Sequence, residues 1–302
     1  MAKITCLLGF ILVSLYTSIS FAAYQQELTN TMSEPLRWTL SHANACLKAD
    51  DIHRVNANGE CLAIQTYANN QLPQKNSRLL IFIHGDGIQG GSPADYLKFQ
   101  ATQFVDPHTT SVVVIRPGYY DSYDNYSTGE SYAFACNGYT CDAYRENTIA
   151  TLAATIQELK KYYQPSCTIL VGHSGGGIMS SIILGKYPHL ADGAVLASVT
   201  NNVHQWATRH GWGNWPNSLS PHEWASKIPQ HTFVYIVSGT ADENTYPELT
   251  REYYSALKKA GIDAHFVAVP KGTHNSVVND NVTDFDKAIT DALSQCPALA
   301  KE

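Results

Sequence analysis

The sequence predicts an α/β fold, a mostly parallel sheet flanked by helices on both faces and carried by one domain. Three observations lead there. Apolar runs of strand length recur along the chain, helix-like segments lie between them, and no internal repeat or flexible linker interrupts the alternation. Strands that alternate with helices pair in parallel and are buried on both faces, so each reads as a continuous apolar run.

The elements follow in order. Lys3 precedes an apolar stretch, Leu7 to Val13 and then Leu15 to Ile19, and Ser20-Phe21-Ala22 offers small residues for a cleavage site. This is the layout of a secretory signal peptide over residues 1–22, cleaved after Ala22 or Ala23. The stretch is short for a ~30 Å hydrocarbon core, so no membrane span is expected after its removal. Residues 23–59 read as a polar, irregular N-terminal extension, and residues 60–302 as the single folded domain.

Within that domain Cys61 to Tyr67 alternates weakly and predicts a strand. Arg78 to His84 predicts a second, ending in His84-Gly85-Asp86-Gly87, and Ser111 to Arg116 a third, stopped by Pro117-Gly118. Residues 142–163 carry Ile149, Leu152, Ala153, Ile156 and Leu159 at helical spacing. Thr168 to Val171 is a strand and 175–187 a helix; Gly193 to Val199 and Thr232 to Val237 are further strands. Residues 247–260 form a helix ended by Gly261, Ile262 to Val269 the last strand, and 283–295 the last helix.

Charge narrows the function. Lys plus Arg number 20 and Asp plus Glu 26, a net of −6, and no run of Lys or Arg exceeds two residues. A nucleic-acid binder needs clustered positive charge to displace counterions, so nucleic acid is not an expected partner. Of seven cysteines, one lies in the signal segment, leaving Cys46, Cys61, Cys136, Cys141, Cys167 and Cys296. An even set in an exported chain suggests disulfides. Sequence neighbours favour Cys46–Cys61 and Cys136–Cys141, which leaves Cys167–Cys296 to tie a strand start to the C-terminal helix. No Cys-x2-Cys pair is present, and no metal or cofactor is expected.

The strongest signal is Gly172-His173-Ser174-Gly175-Gly176. It follows an apolar strand and opens an apolar helix, which is the context a nucleophile elbow requires. The chain must turn sharply there, and side chains two positions either way would collide, so both positions are glycine. The turn lifts the Ser174 hydroxyl above the sheet edge and aims the Gly175 amide at a developing oxyanion.

Serine needs a base held by a third group. His274, in Pro270-Lys-Gly-Thr-His274, directly follows the last strand. His173 flanks the nucleophile, His84 belongs to the oxyanion segment, and His265 lies inside a strand, so His274 is the expected base. The acid should end the preceding strand. Asp242 does so in Gly239-Thr-Ala-Asp242, with Glu243 as the alternative one residue on. The second oxyanion donor falls in His84-Gly85-Asp86-Gly87, the Asp86 amide or alternatively that of Gly87.

The order Ser174, Asp242, His274, with the oxyanion segment before all three, resembles the α/β-hydrolase superfamily over roughly residues 60–295. Arg116-Pro117-Gly118-Tyr119 looks like the loop after the fourth strand in many members. The stretch from Gly239 to His274 is similar to the end of secreted carboxylesterases and of the catalytic domains of prolyl-oligopeptidase-like enzymes. Asp86 departs from the His-Gly-Gly-Gly form of one lipase and esterase group. The resemblance implies an α/β-hydrolase fold and a serine hydrolase that needs no cofactor.

Two segments surround the expected site. Residues 201–226 hold Trp206, Trp212, Trp215 and Trp224, four of the five tryptophans, where this fold often inserts a cap. They either line a substrate pocket or pack the cap down. Residues 117–144 are rich in tyrosine, including Tyr119 and Tyr120, which suits a small aromatic or polar substrate. The leading expectation is a secreted or periplasmic hydrolase of small-molecule carboxylic esters. A serine peptidase or amidase shares the constellation. A carbohydrate- or peptide-binding protein on an inactive hydrolase scaffold is the reading from another class.

Overall fold

The computed structural model describes residues 53–69, 77–87, 94–130, 143–280 and 282–297. The signal segment, Cys46, Cys136 and Cys141 lie outside the described residues. Eight strands form one sheet: β1 (Arg54–Ala57), β2 (Glu60–Tyr67), β3 (Arg78–Ile83), β4 (Thr109–Val114), β5 (Cys167–His173), β6 (Gly193–Ala197), β7 (Phe233–Gly239) and β8 (Asp263–Val269). Their order is β1-β2-β4-β3-β5-β6-β7-β8. The pairs β1–β2 and β2–β4 are antiparallel and the rest are parallel. This is the α/β-hydrolase architecture.

The described helices are α1 (Lys98–Gln103), α2 (Glu146–Tyr163), α3 (Gly175–Lys186), α4 (Val203–Arg209), α5 (Pro247–Lys259), α6 (Ser276–Asn279) and α7 (Val282–Gln295). Side chains alternate across a strand, so the apolar run of β3 feeds two cores. Leu79, Ile81 and Ile83 join Ile149, Leu152 and Ile156 of α2, Ile178 and Ile182 of α3, and Leu257 of α5. Leu80 and Phe82 point the other way, to Leu97, Ala101 of α1, and Phe285 and Ile289 of α7. Helix α3 is buried on almost every side, which is why it reads as apolar all round.

Strand β1 and helices α1, α4 and α6 are not among the elements that the sequence predicts. Strand β1 lies inside the 23–59 stretch expected to be irregular. Its Val55 and Ala57 are buried while Asn56 faces out, a pattern too short to stand out beside the longer runs. Helix α1 has six residues, no side-chain cap and few apolar positions, and it forms because Ala101 and Gln100 are buried against the sheet.

Cys167, at the start of β5, is bonded to Cys296, just past α7, with a Cα–Cα distance of 5.7 Å. That is the long-range staple expected. Cys61 is also disulfide-bonded; Cys46, expected as its partner, is not among the described residues. Within those residues no helix is long and apolar enough to cross a membrane. The loops after β3, β5, β7 and β8 converge at one end of the sheet, where parallel sheets place their ligands.

Candidate active site

Ser174 sits between β5 and α3 with φ 52° and ψ −122°, a conformation that L-residues rarely adopt. The turn closes because its neighbours lack side chains. A Cβ on Gly172 would lie 2.7 Å from the Gly176 carbonyl oxygen, and one on Gly176 would strike the Ile83 and His84 carbonyls at the end of β3. The strained serine thus stands against the oxyanion segment. Its own amide is held by the Ala197 carbonyl of β6 at 2.8 Å.

His274 follows β8, as expected. Its Nε2 is 2.9 Å from Ser174 Oγ, and its Nδ1 is 3.1 Å from Asp242 Oδ2. Asp242 is buried in the loop after β7. Its Oδ1 accepts the Asn244 and Thr245 backbone N–H groups at 2.8 and 3.0 Å, and Oδ2 also accepts the Thr245 hydroxyl at 2.8 Å. Burial alone would push this carboxyl up. The hydrogen bond and charge of His274, with the bonds from Thr245 and Asn244, outweigh burial and hold it well below the usual carboxylate range. The Nδ1–H of His274 therefore donates to an ionised acid, which leaves the Nε2 lone pair to accept from the Ser174 hydroxyl. Glu243, the alternative acid, is exposed and has no hydrogen bond or ion pair among the described residues.

The base loop is anchored by residues that sequence reasoning did not select. His173 Nε2 donates to the His274 carbonyl at 2.9 Å, and Ser198 Oγ donates to the same oxygen at 3.2 Å. His173 Nδ1 accepts from Tyr96 OH at 2.6 Å, and that hydroxyl accepts the Gly85 N–H at 2.7 Å. A continuous chain of hydrogen bonds thus joins the oxyanion segment to the base loop. Burial, with the nearby charge of His274 adding to it, pushes the His173 pKa down to about 3, so the ring stays neutral and keeps this donor–acceptor order.

Among the amides of 85–87, Gly85 donates to Tyr96 and Gly87 to Tyr119 OH at 3.4 Å. Of the three, the Asp86 N–H is thus the one left without an acceptor among the described residues. The Asp86 side chain has a role the sequence did not suggest. Oδ1 pairs with Arg116 Nη2 at 2.8 Å, and Oδ2 accepts Tyr144 OH at 2.5 Å. Its carboxylate lies so close to Gly175 that a Cβ there would be 2.7 Å from Asp86 Cγ. A bare carboxylate at that place would oppose an oxyanion, and pairing with buried Arg116 cancels its charge.

The expected pocket aromatics divide. Trp212 lines a cavity of about 590 Å³ that opens beside His274. Trp206 and Trp215 belong to the core below, stacked edge-on at 5.4 Å. Their indole N–H groups are used internally, by the Asn244 and Trp212 carbonyls respectively. Tyr119 is buried edge-on against His84 at 4.7 Å, and Tyr120 packs on Tyr126; neither lines that cavity. The cap-like insertion is therefore held down by most of its aromatic residues, and Trp212, itself stacked on His210 and Trp215, lines the cavity.

Comparison with known proteins gives a family match for the sequence. A model of the prolyl oligopeptidase family matches residues 125–296, a span that contains Ser174, Asp242 and His274. No curated protein sequence matches the chain. Among solved structures, an acylaminoacyl peptidase of Pyrococcus horikoshii is similar with a TM-score of 0.62 and 16% identity, over 82% of this chain and 42% of that one. Est1E of Butyrivibrio proteoclasticus, solved with ferulic acid, has a TM-score of 0.60 and 13% identity over 80% of this chain and 98% of that one. The esterase Est2 of Thermogutta terrifontis has a TM-score of 0.57 and 18% identity over 82% and 92%. At these identities the structures show a shared fold, and the chain spans less than half the length of the peptidase.

Proposed function

The chain belongs to the prolyl oligopeptidase family, and from that premise we propose that it is an exported serine hydrolase that cleaves small aromatic or polar carboxylic esters. The observation that carries the reading is the line from Ser174 Oγ through His274 to Asp242, with gaps of 2.9 and 3.1 Å. Ser174 attacks the ester carbonyl while its proton passes to His274 Nε2. The amides of Gly175 and Asp86 hold the oxyanion. His274 then gives the proton to the leaving alcohol, and an acyl group remains on Ser174. Water, deprotonated by the same nitrogen, releases the acid and restores the serine. Asp242 orients His274 and stabilises its charged form. The Cys167–Cys296 bond supports an oxidising compartment, secreted or periplasmic.

Amide cleavage is the second reading, favoured by the family model and by the similar acylaminoacyl peptidase. Short- and long-chain p-nitrophenyl esters assayed beside aminoacyl p-nitroanilides separate the two. The ester reading expects p-nitrophenyl acetate to be turned over faster than any anilide, and Ser174→Ala to lose it. Anilide turnover alone would make the protein a peptidase. Binding of peptides or sugars with neither activity would return it to the scaffold class.

A further inference from the structure

Helix α4 of the 201–226 insertion meets the acid loop at one atom. Trp206, on the buried side of α4, donates its indole N–H to the Asn244 carbonyl at 2.9 Å. His210, at the end of α4, places Nε2 2.8 Å from the same oxygen. A carbonyl oxygen only accepts, so His210 carries a proton on Nε2, and both lone pairs of the oxygen are engaged. The same end of the helix grips the residues that follow. His210 stacks on Tyr246 with centroids 5.1 Å apart, and Arg209 lies over the Tyr246 ring and pairs with Glu248.

The Asn244 carbonyl matters because of what its peptide carries on the opposite side. It shares one planar trans unit with the Thr245 N–H, so the two groups point in opposite directions. That N–H donates to Asp242 Oδ1 at 3.0 Å. Donors that fix the oxygen therefore fix the direction of the N–H, and by polarising the amide they strengthen its bond to the carboxylate. Oδ1 is the anchored end of Asp242; Oδ2, at the other end, meets His274 Nδ1 at 3.1 Å. A peptide that tilted would let the carboxylate turn and carry Oδ2 away from the ring nitrogen.

We propose that Trp206 and His210 are positioning residues for the catalytic acid, acting through the 244–245 peptide to hold Asp242 in line with His274. The effect on rate rests on the serine-hydrolase reading; the hydrogen-bond relay itself can be read without turnover.

The test compares four variants of the full chain. Trp206→Phe removes one donor and keeps a ring in the core. His210→Leu removes the other. His210→Gln returns an amide N–H close to the place of Nε2 without the ring that stacks on Tyr246, so it separates the donor from the stack. Trp215→Phe is the control, because it deletes a buried indole N–H of the same cluster that donates to the Trp212 carbonyl and not to the acid loop. Two quantities are read beside the melting temperature: kcat and KM on p-nitrophenyl acetate, and the downfield proton resonance of His274 Nδ1–H, assigned by its loss in Asp242→Asn.

Trp206→Phe and His210→Leu should each lower kcat about tenfold with little change in KM, and should shift or broaden the resonance. His210→Gln should recover most of both, and Trp215→Phe should leave both close to wild type even where it lowers the melting temperature. A wild-type kcat and resonance in both Trp206→Phe and His210→Leu would overturn the proposal. So would equal losses in Trp215→Phe, or a His210→Gln variant as impaired as His210→Leu. If Trp206→Phe does not fold, the comparison of Leu with Gln at half-buried His210 decides alone. If the chain hydrolyses no ester, the hydrolase reading fails and the resonance still decides the relay.

Discussion

Replacing Asp242 by asparagine should nearly abolish turnover and leave the protein folded. The structure dictates how the amide must sit. Oδ1 of Asp242 accepts two backbone N–H groups, from Asn244 and Thr245, at 2.8 and 3.0 Å. Only the carbonyl oxygen of asparagine can replace it, so the NH2 group takes the place of Oδ2. That donor then faces His274 Nδ1, 3.1 Å away. His274 must turn its lone pair towards it and carry its proton on Nε2, where it can no longer accept the proton of Ser174. The charge that stabilises the imidazolium is lost as well. In another serine triad this change costs about 10⁴ in turnover, and at 1.36 kcal/mol per decade that is roughly 5–6 kcal/mol of transition-state stabilisation. The fold should lose far less, about 1 kcal/mol, because the Thr245 hydroxyl can rotate and both backbone amides keep their acceptor. The assay is kcat on p-nitrophenyl acetate with the melting temperature measured alongside. A variant that kept turnover within about tenfold of wild type would refute the tautomer argument.

Tyr96→Phe removes the hydroxyl between Gly85 and His173. It should lower kcat about tenfold or more by loosening the base loop, with little change in KM, and an unchanged kcat would deny that loop its anchor. Acid should destabilise the protein through two buried histidines. Burial pushes both His84 and His173 down to about 3, with Arg116 adding to the effect at His84 and His274 at His173. The unfolded chain protonates them near the ordinary 6.5, so it binds more protons between that pH and about 3, and stability falls as pH falls through the window. At about 1.4 kcal/mol per proton per pH, urea titrations between pH 6 and 4 should show a slope near ~2.7 kcal/mol per pH, halved in His173→Gln; a flat profile would contradict it. Breaking Cys167–Cys296 with serines opens a 129-residue loop. It should cost about 2–5 kcal/mol, read as a lower urea midpoint, and equal midpoints would show that the bond does not stabilise the fold.

Much of this was readable from local pattern. Strands buried on both faces must be apolar throughout, so β3 to β7 announce themselves. Gly172-x-Ser174-x-Gly176 is legible because the clash with the end of β3 forbids any other residue at Gly176. Strand β1 was missed because four residues give only two buried positions. The anchors of the base loop were missed for another reason. Tyr96 meets His173 across 77 residues and Ser198 meets His274 across 76, and no spacing rule spans such distances. Thr245 was within reach. An aspartate whose carboxylate caps the N–H groups two and three residues on is a local turn motif, and Asp242-Glu-Asn-Thr245 fits it. The tryptophans could not be sorted from sequence because helix α4 decides which of them faces down. Trp206 is on its buried side, whereas Trp212 lies beyond its end and stays half-exposed. The Asp86–Arg116 pair was hidden because a charge in a glycine-rich loop reads as solvated until a buried partner is seen.

The central claim is that Ser174 is an activated nucleophile, and covalent labelling tests it most directly. A fluorophosphonate is attacked only by a serine whose proton is being removed and whose oxyanion is held. Incubation of the full chain, followed by intact mass and peptide mapping, should give one adduct per chain on the peptide containing Ser174. Labelling should be lost in Ser174→Ala and slowed strongly in Asp242→Asn. Absence of an adduct from the folded wild-type protein, or an adduct on another residue that persists in Ser174→Ala, would contradict the account.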